Sequence, residues 1–337
     1  MNRAVPVSSA LPRASPNNLP MKKELGISIL LVVLCAVTAA INPRFLSATN
    51  LTNMANVIGL FGVFSLGLGF VIITGGVDLS VGSMFALCGV LLSMALTEWH
   101  WAWPVAALFV IALPMLLGGV HGWLITRLNI QPFIVTLCGL LIYRGLARYV
   151  AGDGTKGFGD AAGFEALRAL ARGRFLGLPA PFVIFLVLSV VMWFVLHRSV
   201  YGRYLMAVGR NEQAARFSGI NTRKVVIGSY VLMGLLGGIG AILFGFYTNS
   251  ISPSNHGNFF ELYGIAAAVL GGCSLRGGEG SVIGIMIGTA LLQVLQNLVN
   301  LLGIPSSLNF AVMGAVVLVG VLADQVMKQR AAKRVAR

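Results

Sequence analysis

His197–Lys224, HRSVYGRYLMAVGRNEQAARFSGINTRK, is a basic, hydrophilic island between two long apolar runs, 180–197 and 224–248. It carries six of the 24 Lys/Arg residues. Runs of that length on both sides of a charged island read as membrane spans joined by a loop in water. Within the island, Asn211–Gly219 has the pattern of two helical turns. At 100° per residue, Asn211, Ala214, Ala215 and Ser218 share one face with Phe217 at its edge, and Glu212 and Arg216 pair i,i+4 on the opposite face.

The rest of the chain agrees with a membrane environment. Mean hydropathy is +0.87, and 57% of the residues are hydrophobic against 10% charged. Soluble domains carry about a quarter charged residues, so a soluble globular protein is excluded. The 42 glycines suit helices packed backbone to backbone in lipid. The net charge of +14 sits at the ends of apolar runs rather than in one patch, so it reads as topology and not as a nucleic-acid surface. Cys35, Cys88 and Cys138 lie inside apolar runs and Cys273 in a loop, so they read as small packing residues.

Ten apolar runs are candidate spans: 25–41, 53–73, 80–97, 102–124, 131–150, 180–197, 224–248, 259–272, 281–302 and 307–325. Two of them, 25–41 and 259–272, are short, so the expected fold is an all-α polytopic bundle of eight to ten transmembrane helices, some of them broken. Residues 1–24 read as a disordered basic tail, 25–325 as the transmembrane domain and 326–337 as a second basic tail. With ten spans and the amino end inside, the inner segments and their flanks hold 17 of the 24 Lys/Arg, which supports that orientation and puts both termini in the cytoplasm. Trp99, Trp101 and Trp103 then form an aromatic belt at an outer end, and Arg144 and Arg148 read as side chains reaching for headgroups. The longest outer segment, 151–179, contains a helical patch at Glu165–Ala171.

The sequence has no GxxxxGK[ST], HExxH or GxSxG motif and no ligand cluster, so nucleotide hydrolysis, metal chemistry and acyl transfer have no residues to use here. The four histidines are scattered and read as interfacial. The ten acids all lie at span ends or in loops, whereas ion-coupled transporters keep ionisable groups in mid-membrane. Uphill transport by this chain would therefore draw its energy from another subunit. Thr74-Gly75-Gly76-Val77-Asp78-Leu79-Ser80 interrupts two apolar runs, and Asp78 or Ser80 is placed to cap the next helix. Thr74, Gly75, Gly76, Asp78, Ser80 and Ser83 are also the candidates for lining a solute path, because irregular backbone survives in a membrane only beside protein or water. The Gly-rich stretch 271–281 echoes 74–83, and 298–305 echoes 124–132, a loose internal repeat of the kind found in transporters.

Four segments together resemble the permease subunit of a bacterial ATP-binding-cassette (ABC) sugar importer of the ribose type: 73–83 (ITGGVDLSVGS), 130–137 (IQPFIVTL), 201–220 (YGRYLMAVGRNEQAARFSGI) and 266–281 (AAAVLGGCSLRGGEGS). The resemblance spans about residues 25–325. It implies a multi-pass protein of the bacterial inner membrane that pairs with a second permease, identical or paralogous. It also implies a cytoplasmic ABC ATPase that binds ATP and Mg, and a periplasmic sugar-binding protein that delivers the solute; no cofactor is implied in this chain. On the same basis 201–220 is the coupling loop. Ala214, Ala215 and Ser218 would allow close approach, Phe217 would anchor, Gly202 and Gly219 would mark the ends, and Arg203, Asn211, Glu212 and Arg216 would flank the contact. The chain departs from the family pattern at Arg210, where glycine is usual, and at Cys273 and Arg276. The alternative is an ion-coupled secondary transporter of a small polar solute.

Overall fold

The computed structural model describes residues 19–159, 161–305 and 308, 311, 312, 314, 315 and 318. Nine helices occupy the first nine predicted runs. They are α1 (Leu19–Ile41), α2 (Ala48–Ile73), α3 (Val81–Thr97), α4 (Trp103–Arg127), α5 (Pro132–Ala151), α7 (Ala180–His197), α10 (Thr222–Thr248), α11 (Phe260–Leu270) and α12 (Val282–Leu301). Three short α-helices accompany them: α6 (Glu165–Arg172), which realises the helical patch of the long outer segment, and α8 (Val200–Arg210) and α9 (Glu212–Phe217) in the basic island; a 3-10 turn, Pro43–Leu46, joins α1 to α2. The tenth run and the basic tail at 326–337 fall largely outside the described residues, as do residues 1–18. The first helix begins at Leu19, six residues before the predicted span.

Seven of these helices are long and apolar enough to cross a membrane. The short ones are α3, with 17 residues, and α11, with 11. The first run, suspected of being short, is a 23-residue helix. At 1.5 Å per residue α11 rises only about 16 Å, half a bilayer core.

The bundle is built around α2. From Gly59 to Ile73 every residue of this helix is buried, with α7, α10, α11 and α12 around it. That explains its sequence, which is apolar on all sides and dense in glycine. Gly67 lies against Met233 of α10 and Gly69 against Ile285 of α12, each with no room for a methyl group. By contrast α1, α4, α5 and α7 leave large apolar side chains such as Val32, Leu108, Leu141 and Val190 exposed, as helices facing lipid or another apolar surface do.

The chain's connections sort to two ends. One end gathers 74–80, 128–131, 198–221 and 271–281. There Gly278 N donates to Ile73 O at 2.8 Å, and Ser281 Oγ donates to Glu24 Oε1 at the base of α1. The other gathers 42–47, 98–102, 152–179 and 249–251. There Lys156–Gly157 pairs antiparallel with Ser250–Ile251, and Lys156 Nζ meets Glu98 at 2.5 Å. Trp99 and Trp101 meet at this second end in a tilted contact, their ring centres 5.4 Å apart. The two Gly-rich linkers of the internal repeat lie side by side at the first end. The downstream echo does not follow them: 124–132 is at the first end and 298–305 at the second, so no single repeat relates all four segments.

Candidate coupling surface and buried polar core

The basic island folds as two helices with a sharp corner at Asn211: the predicted helix is found as α9, and α8 precedes it. Asn211 ends α8 in extended backbone (φ −161°, ψ 101°) and caps α9, its Oδ1 accepting from Ala214 N at 2.9 Å. Ser218 closes α9 by donating to Ala214 O at 2.9 Å. Gly219, at φ +83°, then takes the left-handed position of a helix stop, with Gly219 N bonded to Arg216 O and Ile220 N to Ala215 O. Asn211, Ser218 and Gly219 thus bound the helix from outside it; the sequence pattern marks Gly219 as an end but puts Asn211 and Ser218 on the helix face.

The predicted small-residue face divides. Ala214 and Ser218 are exposed, whereas Ala215 is 5% exposed and turns into the protein. Phe217 is 91% exposed, an unusual position for a phenyl ring in water. Glu212 is used internally, accepting from Arg216 at 2.9 Å and from Thr222 Oγ1 at 3.0 Å. Gly202 is no end marker. It lies in the first turn of α8, where a Cβ would strike the carbonyl of Leu196. Beside it Tyr201 OH donates to Val225 O at 3.0 Å, and burial pushes its phenol pKa upward, so the hydroxyl stays a donor. A groove of about 550 Å³ runs between the end of α7 and the facing sides of α8 and α9. Its lining combines buried Leu196 and Ala215 with exposed Arg203, Arg210 and Asn211. A concave apolar floor with a basic margin is the chemistry of a protein-docking surface.

The residues proposed for the solute path lie at the break between α2 and α3. Thr74 caps α2, its Oγ1 donating to Val71 O at 2.6 Å, and Gly75 turns the chain at φ +83°. Gly76 has no side chain because Tyr230 OH would stand 2.8 Å from its Cβ. That hydroxyl donates to Val77 O at 3.1 Å. Asp78, Ser80 and Ser83 are each 1% exposed or less, so in this conformation no open channel reaches them. Asp78 Oδ1 accepts from Ser80 N at 2.9 Å and from Ser80 Oγ at 2.6 Å, and Ser83 Oγ donates to Ser80 O at 2.8 Å. Ser80 itself makes no side-chain cap. The acid that reaches farther into α3 is Glu261 of α11, which lies against the backbone N–H of Gly82.

Several polar residues were misplaced or missed by sequence reasoning. Asp78 and Glu261, 1% and 8% exposed, stand inside the bundle although they sit at the ends of runs. His121 and His256 are buried and not interfacial. His121 Nε2 shares a 2.7 Å hydrogen bond with Tyr143 OH, and the two rings stack at 5.6 Å. Arg144 does not reach for headgroups: its guanidinium donates to Pro253 O and His256 O, both at 2.9 Å. Those carbonyls belong to 252–259, a segment that leaves the second end and returns into the bundle to start α11. Gly257 packs on Gly82 and Phe260 on Phe85, so α3 and α11 both begin inside the protein. Such irregular backbone needs internal donors where water is excluded, and Arg144 supplies two. The polar run SPSNHGN at 252–258 was the available signal. Arg148, one turn on, is exposed and pairs with Asp153 at 2.6 Å.

Cys273 is buried near Ile73 and Gly280, which pushes its thiol pKa up to about 12 and fits a packing role.

Comparison with known proteins gives this arrangement its relatives. The profile of the family described as "Branched-chain amino acid transport system / permease component" matches residues 50–321. The ribose import permease protein RbsC of Bacillus subtilis is 36% identical over 305 residues, 90% of this chain and 93% of that one. The RbsC of Escherichia coli K12 is 37% identical over 297 residues, 88% and 92% of the two chains. The autoinducer 2 import system permease protein LsrD of Escherichia coli HS is 33% identical over 309 residues, covering 91% and 93%. No solved structure gives a significant match. A helical, multi-pass chain that matches this family over most of its length, with its interrupted helices inside the match, belongs to the branched-chain amino acid transport system permease family.

Proposed function

We propose that this chain is the membrane-spanning permease subunit of an ATP-driven ABC importer for a sugar, and that it forms half of the translocation pathway. The observation that carries this reading is its identity of 36–37% to ribose import permeases over about nine-tenths of both chains. ATP and Mg bind a separate cytoplasmic ATPase, which docks on α9 and the groove beside it. A periplasmic binding protein delivers the sugar to the opposite end, and a second permease, identical or paralogous, completes the pathway. In this orientation the end bearing α8 and α9 faces the cytoplasm, as the distribution of Lys and Arg favours.

The solute path runs by the break at Thr74–Ser83 and opens only in another conformation, since Asp78, Ser80 and Ser83 are packed away here. Selection of the sugar belongs mainly to the binding protein. The buried acids add nothing to an ion-coupled reading: Asp78 is engaged with Ser80 and Glu261 with Gly82, both serving the start of α3.

The experiment is uptake by proteoliposomes holding permease, ATPase and binding protein, offered ribose, other pentoses, autoinducer 2 and branched-chain amino acids. Uptake of a sugar that stops on ATP depletion and survives a protonophore supports the reading. Uptake abolished by the protonophore alone overturns it. Preference for autoinducer 2, the cargo named for the 33% identical LsrD, would leave the machinery in place and change the solute.

A further inference from the structure

Three segments far apart in sequence meet at one point on the cytoplasmic end: the last turn of α8, the end of α2 and the linker between α11 and α12. Their contact is backbone on backbone. A Cβ on Gly209 would overlap Ile73 O and Gly278 N. A Cβ on Gly277 would stand 2.7 Å from Gly209 O and 2.9 Å from Gly75 N. Gly277 and Gly278 hold φ of +83° and +75°, a conformation that suits glycine. The meeting is tied by Gly278 N donating to Ile73 O at 2.8 Å and by a longer contact, 3.4 Å, from Arg210 Nε to Gly278 O. Two residues later the chain turns at Asn211 into α9.

The far end of α8 is fixed differently. Tyr201 OH holds Val225 of α10, and Gly202 packs on Leu196 of α7. An 11-residue helix is thus pinned at its start to α7 and α10 and pressed at its end against the central α2. Side chains yield by changing rotamer, whereas contacting backbones do not, so displacement of α9 passes to Ile73 with little loss. Ile73 is followed at once by the break at Thr74–Ser80.

We propose that Gly209, with Gly277 and Gly278, is the relay through which movement of α9 enters the bundle: α8 works as a lever pivoting at Tyr201 and pushing the end of α2 beside the solute path. Gly209 is a positioning residue and touches neither ATPase nor solute. The inference rests on docking of the ATPase at α9, and the two can fail separately, because relay variants are scored only in complexes that retain the ATPase.

The test uses the complete importer in proteoliposomes, with ATP hydrolysis measured with and without sugar-loaded binding protein. Gly209→Ala is expected to assemble and hydrolyse ATP at the basal rate while losing both sugar uptake and stimulation by the binding protein. Gly278→Ala, which strains the same contact from the other side, is expected to behave alike. Gly145→Ala on α5, where a methyl group meets nothing within 4 Å, should leave uptake and stimulation intact. Wild-type uptake and stimulation in Gly209→Ala would overturn the relay. So would failure of both junction variants to assemble, because the contact would then serve folding alone.

Discussion

The basic corner at 197–224 and the broken helix at 73–83 are both short polar interruptions between apolar helices, and their structures obey opposite rules. The α9 part of the corner is local. Asn211 caps, Ser218 and Gly219 stop, and Glu212 pairs with Arg216 and Thr222, all within the segment itself. The break is held from outside: Tyr230 of α10 bonds Val77, Glu261 of α11 reaches Gly82, and Thr136 of α5 lies near. In water a segment can leave its surface polar groups to solvent, and so can project Phe217. Inside the bundle a polar group left without a partner is costly. The difference separates an exposed surface, which we propose meets a partner, from a core whose polar groups are closed on one another.

The largest effect should come from the corner. Phe217→Asp is expected to abolish uptake while leaving expression and thermal stability at wild type, because the ring is 91% exposed and supports nothing in this chain. Ala214→Arg should do the same. A drop in melting temperature for either, measured in detergent, would mean that α9 is part of the fold and would break the contrast.

Next is the support of the break and of the returning segment. Arg144→Met leaves the carbonyls of Pro253 and His256 without their donor, and each such bond to a charged group is worth about 1.5–3 kcal/mol. Stability and uptake should fall together, read by thermal unfolding and by transport. An unchanged Arg144→Met would show that water reaches 252–259 and that the segment is less enclosed than its burial indicates. Asp78→Ala should be somewhat milder, at about 1–3 kcal/mol for the unpaired Ser80 groups, and Asp78→Asn should recover much of it because the amide oxygen still accepts. If Asn is as damaging as Ala, the charge of Asp78 matters beyond its hydrogen bonds.

The smallest effect is expected at Arg148, one turn from Arg144 and identical to it in sequence terms. Its pair with Asp153 is exposed on both sides, so Arg148→Met should match wild type in unfolding and uptake. A difference there would point to a contact beyond this chain.

The same contrast explains what was legible in the sequence. Helix positions were, because runs of apolar residues respond to lipid whatever they pack against; α7 matched its predicted bounds of 180–197. The stop of α9 at Gly219 was too, whereas Asn211 and Ser218, which the pattern puts on its face, are its caps. What could not be read was anything that depends on a distant partner. Ala215 looks like Ala214 until the neighbouring elements show which one is covered. Arg144 and Arg148 look alike until the return of 252–259 takes one of them inward. The acids were placed by their distance along the chain from span ends, but α3 and α11 begin inside the bundle, so Asp78 and Glu261 are end residues and buried at once. Gly209 and Gly278 were two glycines among 42 until the fold set them in contact.

The most direct test of the account is whether the ATPase leaves the permease when Phe217 is changed. Permease and ATPase are expressed together and purified through a tag on the permease, and the ATPase recovered per permease is measured for wild type and Phe217→Asp. The account predicts that the variant permease is recovered in normal amount, folded, and stripped of ATPase. Full recovery of ATPase with Phe217→Asp, together with normal uptake, would contradict the claim that ATP-driven movement enters this protein at α9.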